Sequence, residues 1–297
     1  MKIAVVGSGS IGLFYGAALA SRGGDIHFLM RSGFEAALAS GIRVHSTELP
    51  LFIPDPQVAA EPHEIGPCDG VIVAVKATSN AALPGLVSPL VGEATWILTL
   101  QNGLGNEEFL ASRFGVERIM GGLCFVCLTR RNPVEVDHVG HGTLSLGEFA
   151  RLPGGRTRQL VADFCAAGIE AHLVEDLAGE RWRKLLWNIP FNGLCTLGNC
   201  TVDRVLADPG LFATCRELMQ EVRAIASAEG HEIPDSYAEH HIARTRPMGA
   251  YVPSTLVDFR AGNPLEIEPI WGEALRRAQA AGIDTPRLAW LYREISK

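Results

Sequence analysis

No stretch of the 297-residue sequence runs for about 18 uninterrupted apolar residues, so a membrane-spanning helix is not expected. Basic runs and basic stripes interleaved with aromatics are missing too. With 26 Lys and Arg against 33 Asp and Glu, the formal charge is -7, which argues against a nucleic-acid backbone as partner. The seven cysteines are odd in number and irregularly spaced, unlike a disulfide framework, and suggest reduced thiols in a cytoplasmic protein. Cys124 and Cys127 form a CxxC, but no second pair or nearby histidine completes a zinc set. In an apolar strand, positions three apart face opposite sides, so buried strand cysteines and no metal site are expected. Lys2, the apolar residues after it and Ala18-Leu19-Ala20 imitate a secretory signal, yet glycines and serines interrupt the run between Gly7 and Gly12.

That interruption is the most informative feature present. Lys2 to Val6 reads as a buried strand, followed by Gly7-Ser8-Gly9-Ser10-Ile11-Gly12 in the GxGxxG spacing. Gly7 permits a tight strand-to-helix turn, Gly9 lets backbone amides approach a pyrophosphate, and Gly12 lets the helix pack on the strand. A helix from about Ser10 to Ser21 points its positive end at the phosphates, and a second strand covers Ile26 to Met30. Strand, turn, helix and strand within about thirty residues is the context a dinucleotide site demands. The second strand ends at Arg31 and Ser32 rather than at an acid. A cation there suits a ribose 2′-phosphate, so NADP(H) is the expected cofactor.

Length and a 47% apolar composition allow two domains with separate cores. A strand is expected at Ile42–His45, an irregular proline-rich stretch from Leu49 to Glu64, and an apolar strand at Val71–Val75 ending at Lys76. A helix to about Leu90 follows, then a strand from Trp96 to Leu100 that ends at Gln101-Asn102-Gly103-Leu104-Gly105. This alternation predicts a parallel sheet with right-handed crossovers. Ligands of such sheets bind beyond the carboxyl ends of the strands, where Lys76 and Asn102 stand; each could equally be a polar residue closing a strand. From Ile119 to Glu148 the pattern predicts antiparallel strands at the sheet edge, separated by Asn132-Pro133 and by Gly140-His141-Gly142. His138 and His141 read as turn or edge residues. A helix from about Arg156 and a strand at Ile169–Val174 complete a first domain of residues 1–175.

Residues 176–297 read as helical, with helices over Pro209–Glu229, Pro234–Ala243, Glu266–Ala281 and Pro286–Ile295. Lys184, Asn188 and Asn192 recur every four residues and share one helix face, among Leu185, Leu186, Trp187, Ile189 and Phe191. Buried amide and ammonium groups need partners, and a polar substrate would serve. Pro190 inside this helix predicts a kink that can turn Asn192 off the line. Arg244 and Arg246 precede Pro247 in an expected loop, where they could meet a substrate carboxylate.

With GSGSIG, Arg31, VKA at Val75 to Ala77, QNGLG at Gln101 to Gly105, the Lys184/Asn188/Asn192 array, Ser254-Thr255-Leu256-Val257-Asp258 and Glu266, the chain resembles the ketopantoate reductase (2-dehydropantoate 2-reductase) family. The resemblance covers nearly the whole length. It implies a Rossmann-type α/β domain followed by an all-α domain, in the 6-phosphogluconate-dehydrogenase-like arrangement, with the active site in the cleft between them. It implies NADPH-dependent reduction of ketopantoate to (R)-pantoate, on the route to pantothenate and coenzyme A. Lys184 then matches the catalytic lysine. Lysine ordinarily titrates near about 10.4, so it starts as a cation that can stabilise a developing alkoxide and protonate it. Glu266 matches the family's substrate-site carboxylate, a catalytic partner that helps hold Lys184 and contacts substrate and cofactor. Asn102, Asn188, Asn192 and Ser254 match substrate-binding positions, with Asn102 also facing the cofactor beside Gly7, Ser8, Gly9, Ser10, Ile11, Gly12, Arg31 and Lys76. Gly193 stands where many relatives have proline. A homodimer is compatible with such an enzyme. Two other readings stay open: a paralogous reductase of another 2-oxo acid, and a non-catalytic NADP-binding redox sensor, against which Lys184 and Glu266 together argue.

Overall fold

The computed structural model describes residues 1–297. By its internal contacts the chain divides into two compact units, one of Met1–Gln101 with Asn106–Leu177, the other of Asn102–Gly105 with Ala178–Lys297.

The first unit is built on a ten-stranded sheet. In chain order its elements are β1 Lys2–Val6, α1 Ser10–Ala20, β2 Asp25–Leu29, α2 Phe34–Ser40, β3 Ile42–His45, β4 Leu51–Ile53, β5 Gln57–Ala59, α3 Pro62–Ile65, β6 Cys68–Val73, α4 Leu83–Val87, β7 Val91–Thr99 and α5 Asn106–Phe114. They continue with β8 Ile119–Asn132, β9 Glu135–Glu148, α6 Gly155–Ala166 and β10 Ala171–Leu173. The strand order is β4-β3-β9-β8-β7-β6-β1-β2-β5, with β10 also on β9. Strands β5, β2, β1, β6, β7 and β8 run parallel as the alternation predicts, whereas β9 is antiparallel to β8 and β4 to β3, so the whole sheet is mixed.

Four local expectations need correction. The stretch from Leu49 to Glu64 is not irregular: it supplies β4 and β5, the two edge strands, and α3. Pro50, Pro54, Pro56 and Pro62 confine them to three or four residues, which blunts the sheet edges and hides them from a periodicity reading. Strands β8 and β9 lie inside the sheet, because β3 pairs in parallel with the start of β9 and β10 with its end. Gly140-His141-Gly142 does not divide a strand; it forms a bulge within the 14 residues of β9, where His141 (φ 61) and Gly142 (φ 144) shift the register. The helix expected up to Leu90 is broken by Pro84 and Pro89 into a 3-10 turn over Ala77–Ala82, α4, and a second 3-10 turn over Ser88–Leu90.

His138 is buried within β9 rather than at a turn. Its Nε2 lies 2.6 Å from the His141 carbonyl, so Nε2 carries the proton and Nδ1 accepts from the Ser46 hydroxyl at 2.9 Å. The same Ser46 oxygen accepts the amides of Glu48 and Leu49, so this hydroxyl holds a turn instead of acting as a nucleophile. Helix α1 is buried continuously from Gly12 to Leu19, which explains why its sequence is apolar all round.

The second unit is helical: α7 Leu177–Gly198, α8 Val202–Ala207, α9 Pro209–Ala228, α10 Asp235–Thr245, α11 Ser254–Arg260, α12 Glu273–Ala280 and α13 Pro286–Ile295. Its core gathers Trp182, Leu186, Ile189, Phe191, Met219, Val222, Trp271 and Leu291. Burying each such side chain contributes about 1.5–3 kcal/mol. Helix α7 runs through Pro190 without interruption, and near that residue the Ile189 carbonyl accepts from the Trp271 indole at 3.0 Å. Two expectations shift here. Arg244 sits on the last turn of α10 and not in a loop, while Arg246 opens a 3-10 turn; both are exposed. The segment Glu266–Ala281 begins as a π turn at Glu268–Gly272 before α12, leaving Glu266 ahead of the regular helix. No helix is long and apolar enough to cross a membrane.

Candidate active site

In the first unit the parallel strands β2, β1, β6 and β7 lie side by side, so Arg31, the glycine turn, Lys76 and Gln101 all follow the carboxyl ends of neighbouring strands. The chain turns from β1 toward β2 and β5 and then returns to β6 on the other side. That reversal makes a crevice beyond β1 and β6, the place where such sheets take ligands.

The three glycines of the turn differ in what surrounds them. Gly7 has φ +104, and a Cβ on it would lie 2.5 Å from the Val75 amide nitrogen. At Gly12 a Cβ would meet the Gly7 carbonyl oxygen at 1.9 Å, so glycine there lets α1 pack against the turn. At Gly9 a Cβ would find no atom within 4 Å. Gly7 and Gly12 are thus required by the fold, whereas the space at Gly9 is open, and Gly9 is the N-cap of α1. No side chain caps that helix and no acid stands in its first turn, so its positive end is left for an anionic group. This cradle fits a pyrophosphate. Ser8, Ser10 and Ile11 in the same turn are half-exposed; Arg31 and Lys76 are exposed.

In the second unit, Lys184 Nζ donates to Asn102 Oδ1 at 2.7 Å. Asn102 opens the four-residue loop Asn102–Gly105, and the loop is fixed on both sides of its tip. Gly103 has φ +84 and a Cβ there would lie 2.3 Å from the Pro269 carbonyl oxygen; that same oxygen accepts the Leu104 amide at 2.8 Å. Leu104 is buried in the helical core. The carbonyl that receives Leu104 belongs to the π turn, a local widening common at functional sites.

Asn188 and Asn192 continue the face of α7 that carries Lys184, and both are buried. The Asn192 Oδ1 has no hydrogen-bond partner, and one turn further Thr196 presents a buried hydroxyl that also lacks one. A buried carbonyl oxygen without a donor costs about 1–3 kcal/mol, so a ligand that donates to Asn192 would recover it. Ser254 is the exposed first residue of α11, and Glu266 is half-buried just before the π turn. Among the residues singled out by sequence, a hydrogen bond joins Lys184 to Asn102.

Helix α10 braces α7 from behind. His241 Nε2 donates to the Arg183 carbonyl at 3.0 Å, and the Trp187 indole donates to Thr245 Oγ1 at 2.8 Å. Burial holds the His241 imidazole neutral, lowering its pKa to about 4.

Sequence reading missed a chain of three amides in the first unit. Gln101 Nε2 donates to Asn80 Oδ1 at 2.7 Å, and Asn80 Nδ2 donates to Asn106 Oδ1 at 3.0 Å. Gln101 and Asn106 are buried. The one sequence signal was that Gln101 and Asn106 flank the Asn102–Gly105 loop; nothing local pointed to Asn80.

Residues 3–151 match the family described as "Ketopantoate reductase PanE/ApbA", and residues 176–297 match its C-terminal counterpart. A 2-dehydropantoate 2-reductase of Nostoc sp. is 37% identical over 99% of this chain and 94% of its own length. A crystal structure of 2-dehydropantoate 2-reductase from Geobacter metallireducens superposes with a TM-score of 0.97 at 43% identity, covering 100% of this chain and 99% of that one. A second, from Methylococcus capsulatus, gives 0.93 at 33% identity, covering 100% and 96%.

Proposed function

Since the chain belongs to the ketopantoate reductase family, we propose that it reduces ketopantoate to (R)-pantoate with NADPH. When bound, the reduced nicotinamide supplies the hydride that goes to the 2-oxo carbon; the remaining work falls to side chains. The Lys184 ammonium donates to the ketone oxygen, stabilises the alkoxide as charge develops there, and gives it the proton that completes the alcohol. Asn102 holds that ammonium by accepting from it. Asn188, Asn192 and Ser254 bind the polar groups of the substrate, and Glu266 contacts both substrate and cofactor. The Gly7–Gly12 turn receives the pyrophosphate, and Arg31 and Lys76 meet the ribose phosphate.

The observation that carries the proposal is the Lys184–Asn102 hydrogen bond at 2.7 Å, on a chain 37% identical over 99% of its length to a protein that bears the name of this reaction. The test is NADPH consumption with ketopantoate beside a panel of other 2-oxo acids. The proposal expects kcat/KM for ketopantoate to exceed the others by about tenfold or more, the scale of a contact worth ~1.4 kcal/mol. A better rate on another 2-oxo acid makes the protein a paralogous reductase, and no turnover on any substrate makes it a sensor. Arg31→Ala should narrow the preference for NADPH over NADH by about 10- to 100-fold, the worth of a charge-assisted bond to phosphate.

A further inference from the structure

The loop that carries Asn102 has a base as well as a tip. The base is formed by Gln101 before it and Asn106 after it, and one side chain joins the two. Asn80 accepts from Gln101 through its carbonyl oxygen at 2.7 Å and donates to Asn106 through its amide nitrogen at 3.0 Å. An asparagine can do both because it has a donor and an acceptor at the end of a short side chain. Aspartate would keep only the acceptor, and alanine neither. On its other side, Gln101 Oε1 accepts from the Thr99 hydroxyl at 3.0 Å, so the chain of bonds runs from the last residue of β7 to the first of α5.

The loop's four residues include two left-handed glycines, Gly103 and Gly105, each with φ +84. Glycine leaves the backbone free to adopt many conformations, so such a loop needs external fixation to hold a side chain in one place. The Leu104 amide fixes the tip on Pro269. We propose that Asn80 is a positioning residue for the reduction: by clasping Gln101 to Asn106 it sets the direction in which Asn102 leaves β7, and so the placement of the Lys184 ammonium. Asn80 bonds neither Lys184 nor Asn102 directly; it acts through the loop. The inference deepens the reading of Lys184 and Asn102 given above and rests on it.

The test compares Asn80→Ala, Asn102→Ala and the double variant in the whole enzyme. Asn80→Ala should lower kcat for ketopantoate by about 10- to 100-fold, the cost of an ångström-scale misplacement. NADPH affinity, read by fluorescence titration, should stay within about twofold. In the Asn102→Ala background the same substitution should change kcat by less than about twofold, because its route of action is already gone. Losses that multiply in the double variant, or an unchanged kcat in Asn80→Ala, overturn the proposal. Should Asn80→Ala fail to fold, Asn80→Asp keeps the Gln101 bond, removes the donor to Asn106, and is read in the same cycle. Amide hydrogen exchange at residues 102–105 tests the clasp without catalysis. Faster exchange in the variant supports it even if the parent enzyme proves inactive on ketopantoate, and unchanged exchange removes it whatever the substrate.

Discussion

Lys184 and Asn102 stand 82 positions apart in the sequence, yet the ammonium of one donates to the amide oxygen of the other at 2.7 Å. The lysine comes from the middle of a long buried helix and the asparagine from a glycine-flanked loop after a strand. Lysine alone swings on four rotatable bonds; an acceptor at its tip restricts that freedom before substrate arrives.

Removing the ammonium should therefore damage chemistry far more than cofactor binding. Lys184→Ala is expected to lower kcat by about 10²- to 10⁴-fold, the usual worth of a positioned general acid. NADPH affinity by fluorescence titration should remain within about twofold. A normal kcat in this variant would take Lys184 out of the mechanism.

The glycine turn separates folding from binding. Gly12→Ala puts a methyl 1.9 Å from the Gly7 carbonyl, and should cost about 3 kcal/mol or more, read by urea unfolding. Gly9→Ala meets nothing within 4 Å, and should unfold within about 0.5 kcal/mol of the parent. The same methyl stands where a pyrophosphate would approach, so NADPH affinity should fall about tenfold or more, equivalent to ~1.4 kcal/mol.

Asn192 should show stability and activity moving in opposite directions. Its Oδ1 is buried without a donor, and leucine has nearly the same shape without the polar atoms. Asn192→Leu is expected to raise the unfolding free energy of the ligand-free protein by about 1 kcal/mol, since it removes an unsatisfied group. The KM for ketopantoate should rise several-fold to about tenfold, the worth of one hydrogen bond. A lower stability in the absence of ligand would show that the amide oxygen is satisfied within the protein.

His241 predicts an acid-sensitive brace. Burial lowers its pKa from 6.5 to about 4 in the folded protein. The unfolded chain therefore binds the proton more readily, and the stability supplied by the neutral ring is complete above about pH 6.5 and is lost as pH falls toward 4. Between pH 7.5 and 5 the loss should be about 2 kcal/mol by urea unfolding. His241→Gln can still donate to the Arg183 carbonyl but does not titrate, so that part of the pH dependence should disappear.

What the sequence disclosed was mostly local. The GxGxxG turn sits where a strand of five residues meets a helix, and both ends of that unit lie within twenty positions of one another. The Lys184, Asn188 and Asn192 spacing is a property of one helix, and α7 does carry all three. What stayed hidden depends on distant partners. Ser46 meets His138 across 92 positions, and Asn80 meets Gln101 and Asn106 across 21 and 26. No periodicity announces such meetings, because each residue alone reads as an ordinary polar side chain at a turn. The edge strands β4 and β5 escaped notice for a different reason: three residues between prolines are too few to display alternation.

The four residues Asn102–Gly105 are covalently part of the first half of the chain but group by contact with the second. A chimera that exchanged only Ala178–Lys297 between two relatives would inherit its ammonium from one parent and the amide that holds it from the other. Shuffling the helical half as a cassette therefore requires grafting a short insert from the opposite side of the crossover point. The partnership is heritable only as two separated pieces of gene.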